Sequence, residues 1–104
     1  MTSPLTLSFG SDHGGLALRR GLSEALKAKG YAILDRGTET EASCDYPDYA
    51  HAVGADVVAG RAKFGILVCT TGIGISIAAN KMRGIRAALV QSADAAGQSR
   101  RHND

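Results

Sequence analysis

The sequence predicts an α/β fold of the doubly wound, Rossmann-like kind, a three-layer α/β/α arrangement around a parallel sheet. Two observations lead to this prediction. Short, continuous apolar runs alternate with helix-like patterns along the 104 residues, and glycines separate the helical patterns from the runs that follow them. Continuous apolar runs are typical of strands that are covered on both faces. The order β-α-β-α-β-α-β-α then implies parallel strands joined by crossover helices.

Four apolar runs are candidate strands, so the predicted sheet has at least four of them. They are Leu5–Phe9, Tyr31–Leu34, Phe64–Val68 and Ile85–Val90. Each run has the length of an ordinary strand and is too short for an ordinary helix. We expect the last run to lie at an exposed edge of the sheet.

Helical patterns lie between these runs and after the last one. Apolar residues recur at helical spacing in the first two patterns, at Leu18, Leu22, Ala25 and Leu26 and then at Tyr49, Val53 and Val57. Two further helices are predicted at Ile75–Lys81 and Ala93–Arg101. Gly30, Gly60 and Gly84 each stand where a helix would end, which is a common position for glycine.

Composition and charge indicate an ordinary globular domain. The chain is 44% hydrophobic and 21% charged, with a formal net charge of +2. Five aromatic residues and scattered basic ones give no support for nucleic-acid binding. No apolar stretch approaches the roughly 18 residues of a membrane span, so no membrane partner is expected. Two cysteines in unrelated segments favour free thiols and a cytoplasmic location.

The segment that starts at Cys69 carries the clearest chemical signal. The thiol directly follows the run Phe64–Val68, and Gly72-Ile73-Gly74 opens the next helix. Unpaired N–H groups at a helix start attract negative charge, so such a site favours a thiolate and can hold a developing oxyanion. The alternative is a buried cysteine that packs as a small hydrophobic residue.

A second turn is expected to face Cys69. Ligands of open parallel sheets bind beyond the carboxyl ends of the strands, where the strand order reverses. If the first and third strands are neighbours, Asp12 and His13 lie across a crevice from Cys69. The alternative for His13 is an ordinary surface position in a turn.

Several other chemistries find no matching pattern. Gly72-Ile73-Gly74 has neither the third glycine of a dinucleotide fingerprint nor the Lys-Ser/Thr of a P-loop. Ile75 stands where a phosphatase loop would need an arginine to hold phosphate. No cluster of Cys, His and Asp has metal-ligand spacing, so neither a metal nor another cofactor is expected. A redox role lacks a Cys-x-x-Cys pair, and nothing in the sequence places Cys44 beside Cys69.

Five motifs occur together in a fixed order: Ser11–Gly15, Asp45–Tyr49, Cys69–Lys81, Gly84–Ala87 and Ser99–Asp104. In this combination the chain closely resembles the ribose-5-phosphate isomerase B family, which also contains galactose-6-phosphate isomerase subunits. The resemblance covers essentially the whole sequence.

The resemblance implies an aldose–ketose isomerase that interconverts ribose 5-phosphate and ribulose 5-phosphate through an enediolate, without metal or cofactor. Cys69 matches the base that moves a proton between C2 and C1, and His102 matches the acid that opens the sugar ring. The matching substrate-binding positions are Asp12, His13, Tyr46, Thr70, Thr71, Gly72, Ile73, Gly74 and Asn103. The resemblance further implies a homodimer or homotetramer with sites at the interface, so that His102 and Asn103 serve the partner's Cys69.

Three departures from the family pattern matter. Thr70 stands where the family usually has glycine, and Ile75 stands where some relatives have a glutamate base. The family continues with another strand and a long helix that carry phosphate-binding arginines. Residues 1–104 are therefore expected to form a single sugar-phosphate isomerase domain that is incomplete at its carboxyl end. The alternatives are a non-catalytic fragment or pseudoenzyme, and an isomerase for an allose, galactose or tetrose phosphate.

Overall fold

Strands and helices alternate along most of the chain. The structure, a computed structural model, describes residues 5–37 and 46–103, with the side chains of Tyr46 and Asn103 outside the description. The strands are β1 (Thr6–Ser11), β2 (Ala32–Asp35) and β3 (Phe64–Val68). The helices are α1 (Leu16–Ala28), α2 (Tyr46–Val58), α3 (Ile73–Asn80) and α4 (Ala93–Asn103). The predicted glycine stops are confirmed, because Gly30, Gly60 and Gly84 have φ angles of 99°, 79° and 88°.

The sheet is parallel and has the order β2-β1-β3. Thr6 of β1 pairs with Ala32 of β2, and on the other side Ser11 pairs with Val68 of β3. The second strand thus lies on one side of β1, and the third strand lies on the other side of β1. This reversal confirms the doubly wound fold class and places a crevice between the carboxyl ends of β1 and β3.

Helices cover both faces of the sheet. On one face α2 approaches so closely that a Cβ atom on Gly10 or Gly65 would lie 2.9 or 2.5 Å from the Val53 side chain. The opposite face carries Phe9, which is fully buried, and Asp35, its partner in the register. Asp35 pairs with Arg19 of α1, so α1 packs on that face. The three predicted layers are therefore present.

The predicted fourth strand is wrong. Residues 85–90 pair with none of the three strands, and β3 is an edge of the described sheet. The N–H and the C=O of Ala87 bond instead to the side-chain amide of Asn80, over 2.8 and 2.9 Å. The backbone of Ala87 thus bonds to a side chain and not to a neighbouring strand, so no ladder forms here.

A buried carboxylate ties α2 to the sheet. Asp56 is 1% exposed and accepts hydrogen bonds from Ser8 Oγ at 2.6 Å, from Arg36 Nε and Nη2 at 2.7 Å each, and from Arg61 Nε at 2.9 Å. The hydrogen bond from Arg36 holds the pKa of Asp56 far below its usual range, against the opposite effect of burial. The Asp56 side chain thus joins α2 to β1 through Ser8, to the end of β2 through Arg36, and to the loop before β3 through Arg61.

We expect Asp56→Asn to change the acid sensitivity of the fold. Since the folded-state pKa of Asp56 lies below its unfolded value, the carboxylate stabilises the protein above about pH 4 and loses this effect as the pH falls further. Urea unfolding at pH 7 should show a loss of about 2 kcal/mol of unfolding free energy. The loss is not larger because Arg36 and Arg61 are partly exposed to water.

The control is Asp48→Asn, an exposed carboxylate in the first turn of the same helix, which should cost less than about 1 kcal/mol. Below pH 4 the unfolding free energy of the wild type should fall faster than that of Asp56→Asn. Parallel acid limbs in both proteins would show that Asp56 does not control acid stability.

Candidate functional site

The site lies in the crevice between the ends of β1 and β3. The predicted pairing of these strands is confirmed, and the backbone N–H of Asp12 donates to the carbonyl of Val68 over 3.3 Å. The turn that follows β1 is therefore bonded to the residue just before Cys69. Asp12, His13 and Cys69 come from these two adjacent turns.

Asp12 shapes the first turn. Its Oδ1 accepts a hydrogen bond from the backbone N–H of Gly15 at 2.9 Å and caps a short 3₁₀ turn at His13–Gly15. Asp12 is half-buried, whereas His13 and Gly14 are exposed at the mouth of the crevice. One carboxylate oxygen is thus committed to the backbone, which fixes where the rest of the group lies.

Gly15 sets the distance between the two turns. It is buried, and a Cβ atom at this position would lie 2.3 Å from the carbonyl oxygen of Val68 and 2.6 Å from its carbonyl carbon. Backbone atoms cannot rotate away as a side chain can. Only glycine therefore allows the start of α1 to lie this close to the residue that precedes Cys69.

The sulfur of Cys69 accepts a hydrogen bond from the backbone N–H of Gly72 at 2.9 Å. The side chain is half-buried and packs against a cluster formed by Ala50, Ile75, Ala78 and Ala79. A backbone N–H aimed at sulfur gives a thiolate a charge-assisted hydrogen bond. The cysteine thus packs partly as an apolar residue, as the alternative interpretation had it, and still presents a hydrogen-bonded sulfur.

The turn from Cys69 to α3 supplies donors for an anion. Gly72 precedes the helix with a φ angle of 78°, a conformation that favours glycine. Its own N–H donates to sulfur, and the N–H of Ile73 donates to Thr71 Oγ1 at 3.2 Å. The next amides, of Gly74 and Ile75, lie in the first turn of α3, where no intrahelical acceptor exists. These two are the better candidates to bind an oxyanion.

Thr70 narrows the crevice. It is exposed, and a Cβ atom on Gly14 would lie 2.2 Å from its Oγ1. The Thr70 hydroxyl therefore occupies the space above Gly14, between the two turns. The threonine in place of a glycine is accommodated because residue 14 has no side chain.

A groove lies between α2 and α3 and includes Gly74 of the first turn of α3. It has a volume of about 290 Å³ and is lined by Pro47, His51, Gly74, Ile77, Ala78 and Lys81. Ile73 and Ile77 are 53% and 54% exposed along the same helix. The site is thus bordered by an open, largely apolar surface.

The carboxyl-terminal helix α4, which carries His102 and Asn103, contacts β3 near the amino end of that strand. Arg100 of α4 lies 4.6 Å from the centre of the Phe64 ring, at the amino end of β3. Cys69 follows the other end of that strand, about 16 Å further along at roughly 3.3 Å per residue. This contact lies toward the end of β3 opposite to Cys69, and the approach of His102 and Asn103 to a crevice stays a prediction.

Two residues named in the sequence analysis, Tyr46 and Cys44, are described only in part or not at all. Tyr46 begins α2, with only its backbone described, and Cys44 lies outside the described residues. Within residues 5–37 and 46–103, no group of three or more His, Cys, Asp and Glu side chains could hold a metal. Over the same ranges, none of the helices has the length and apolar character needed to cross a membrane.

Sequence reasoning missed the roles of Gly15 and Asn80. The adjacent glycines 14 and 15 after a strand were a usable signal for a close backbone approach. For Asn80 the sequence indicated only that asparagine is common near the end of a helix. Its contact with residue 87 depends on how the chain returns after α3.

Comparison with known proteins gives one consistent family. Residues 7–104 match the profile of the Ribose/Galactose Isomerase family. Over 98 residues the chain is 44% identical to ribose-5-phosphate isomerase B of Escherichia coli, covering 94% of this chain and 66% of that protein. A galactose-6-phosphate isomerase subunit of Clostridium acetobutylicum is 41% identical over 87 residues, or 84% of this chain and 50% of that subunit.

The same family appears among solved structures. The ribose-5-phosphate isomerase B of Clostridium thermocellum superposes with a TM-score of 0.93 at 46% identity, covering 95% of this chain and 67% of that one. The chain thus spans about two thirds or less of the length of these relatives.

We expect Gly15→Ala to push the two turns of the crevice apart. The new Cβ atom meets backbone atoms of Val68, so the variant should lose about 1–3 kcal/mol of unfolding free energy. Gly21→Ala is the matched control, because nothing lies within 4 Å of a Cβ atom there. This second variant should gain about 0.5–1 kcal/mol, since alanine favours a helix interior. Urea denaturation of both variants measures the difference, and equal effects would contradict the close approach.

Proposed function

Since the chain belongs to the Ribose/Galactose Isomerase family, we propose that it interconverts an aldose phosphate and its ketose isomer, with ribose 5-phosphate and ribulose 5-phosphate as the pair. The observation that carries the proposal is the Cys69 sulfur, hydrogen-bonded by Gly72 N–H at the start of α3. Two of the similar proteins are named for ribose 5-phosphate.

The chemistry requires a base and an anion site, with no net oxidation. The Cys69 thiolate removes the proton from C2 of the open-chain aldose, and the electron pair moves to the carbonyl oxygen at C1, which gives an enediolate. The same thiol returns the proton to C1 as the hydroxyl proton at O2 moves to O1, which yields the ketose. Such proton transfer by a positioned group contributes about 10²–10⁴-fold to a rate.

The enediolate oxygens are held by the amides at the start of α3. Fixed N–H groups stabilise charge as it develops without reorganising, and the loss of one such donor costs about 3 kcal/mol in comparable sites. Gly74 and Ile75 offer their amides here. Asp12, His13 and the stretch from Thr70 to Gly74 bind the rest of the sugar from the two sides of the crevice.

Thr70 bears on the choice of sugar. Its hydroxyl fills the space over Gly14, so the crevice is narrower than it would be with glycine at position 70. We propose that this favours the five-carbon phosphate over six-carbon phosphates. The galactose-6-phosphate relative makes the longer sugars the direct comparison.

A second copy of the chain completes the proposed site. Arg100 of α4 contacts Phe64 near the amino end of β3, opposite to the end that Cys69 follows, and α3 exposes Ile73 and Ile77. We propose a homodimer or homotetramer in which the partner's His102 opens the sugar ring, with Asn103 and Tyr46 completing the pocket. A reducing, cytoplasmic environment suits a base that must remain a thiol.

Cys69→Ala should lower kcat by at least about 10²-fold, because the proton then has no carrier. The measurement is the conversion of ribose 5-phosphate by the purified chain, with a parallel assay on 6-phosphates of allose and galactose. Cys44→Ser is the control for a general effect of losing a thiol, and it should keep full activity.

Each result of this assay has a distinct meaning. Equal activity in wild type and Cys69→Ala would exclude Cys69 as the base. A wild-type chain that binds ribose 5-phosphate by calorimetry without converting it would support the non-catalytic alternative. Faster conversion of a six-carbon phosphate would overturn the proposed substrate.

Mixing Cys69→Ala with His102→Ala should restore activity that neither variant has alone. In a mixed dimer one site has both changes and the other has neither. Random exchange of subunits should therefore recover about a quarter of wild-type activity. A mixture that stays inactive, although native mass spectrometry shows mixed dimers, would place both residues in the same chain's site.

A further inference from the structure

The segment 85–90, which the sheet leaves unpaired, reaches back to the turn that holds the Cys69 sulfur. We infer that Asn80 and Leu89 are positioning residues for this turn: together they hold the backbone N–H of Gly72 against Cys69 Sγ. The geometric part of this inference stands on contacts within the chain. Its consequence for catalysis rests on the proposed function.

Asn80 fixes the segment at one residue. Its side-chain amide donates to the carbonyl of Ala87 at 2.9 Å and accepts from the N–H of Ala87 at 2.8 Å. Both backbone groups of Ala87 are therefore paired with the Asn80 side chain. Because Asn80 is the last residue of α3, the segment is attached to the same helix whose first turn faces the crevice.

Leu89 carries this attachment to the turn. A Cβ atom on Gly72 would lie 2.4 Å from Leu89 Cδ1, so the leucine occupies the space over the Gly72 backbone. Leu89 stands two residues after Ala87 in the same segment. We therefore infer that the two Asn80 hydrogen bonds hold Leu89 in its position over Gly72.

A second contact leads to the same sulfur. Ile85 and Ala87 pack against the buried cluster of Ala50, Ile75, Ala78 and Ala79, and Cys69 packs against that cluster as well. The segment therefore touches the turn through Leu89 and shares a core with the sulfur through Ile85 and Ala87. Both routes restrict the Gly72 amide and the thiol relative to each other.

The exposure of Leu89 argues against a purely space-filling role. The residue is 45% exposed, so its contact with Gly72 removes only part of its surface from water. Val90, its neighbour, is similarly exposed at 42% and is not among the atoms closest to Gly72. This pair of adjacent apolar residues gives a matched test.

Amide hydrogen exchange at Gly72, followed by NMR in the 104-residue chain, measures the proposed contact directly. We expect Leu89→Ala and Asn80→Ala to speed the exchange of this amide at least about 5-fold, as expected when a hydrogen bond opens locally. Val90→Ala should leave it unchanged. The amides of Phe9 and Ile66 in the sheet report global stability, and they should exchange as in the wild type.

Asn80→Asp separates the two bonds of the amide. It keeps an acceptor for the Ala87 N–H but places a carboxylate against the Ala87 carbonyl, so its effect on Gly72 should resemble that of Asn80→Ala. In steady-state assays, Leu89→Ala should lower kcat about 5-fold or more with a smaller effect on KM, because the Gly72 N–H that Leu89 positions bonds to the sulfur of the base.

The results separate the inference from the proposed function. Unchanged exchange at Gly72 in both Leu89→Ala and Asn80→Ala would overturn the inference, whatever the activity. Faster exchange in Val90→Ala to the same degree, or in Phe9 and Ile66, would also overturn it by showing a general loss of stability. Unchanged kcat in an active enzyme with faster Gly72 exchange would overturn the catalytic part. An inactive wild type would count against the proposed function, while the exchange data would still decide the geometry.

Discussion

The backbone of Gly15 lies against the carbonyl of Val68 with no room for a side chain between them. This approach fixes the start of α1 on the end of β3, and it brings the Asp12 turn alongside Cys69. The N–H of Asp12 adds a hydrogen bond to the same carbonyl. The spacing of the two turns depends on this contact, because a side chain at residue 15 would force the Asp12 turn away from the end of β3.

The turn after Cys69 divides its backbone amides between two tasks. Those of Gly72 and Ile73 bond to side chains of the turn itself, on Cys69 and Thr71. The amides of Gly74 and Ile75 have no acceptor within the helix. In the proposed reaction, the sulfur would move the proton while these amides hold the charge of the enediolate.

Stability is provided largely away from this crevice. The buried Asp56 network joins the sheet to α2 through Ser8, Arg36 and Arg61. The glycines that let α2 lie close to the sheet, at positions 10 and 65, belong to the same face. The turns at the crevice can thus keep exposed and half-buried polar groups, as a binding site needs, because the fold is secured elsewhere.

Local patterns in the sequence determined the elements from β1 to α3 and the glycines that end the helices. They also placed Cys69 at a helix start, since each of these features depends on residues within one or two turns of the chain. The motifs, taken together, identified the family and hence the candidate residues for catalysis. The same patterns could not determine pairing, and an apolar run at Ile85–Val90 looks like a strand whether or not a neighbour accepts it.

Tertiary structure alone decided the contacts between distant segments. The close approach of Gly15 to Val68, the hydroxyl of Thr70 over Gly14 and the amide of Asn80 on Ala87 all join residues that no spacing rule connects. The contact of Arg100 in α4 with the Phe64 ring is of the same kind. Such contacts depend on the path of the whole chain, because a side chain's neighbours are set by how the layers pack and not by the residues beside it in sequence.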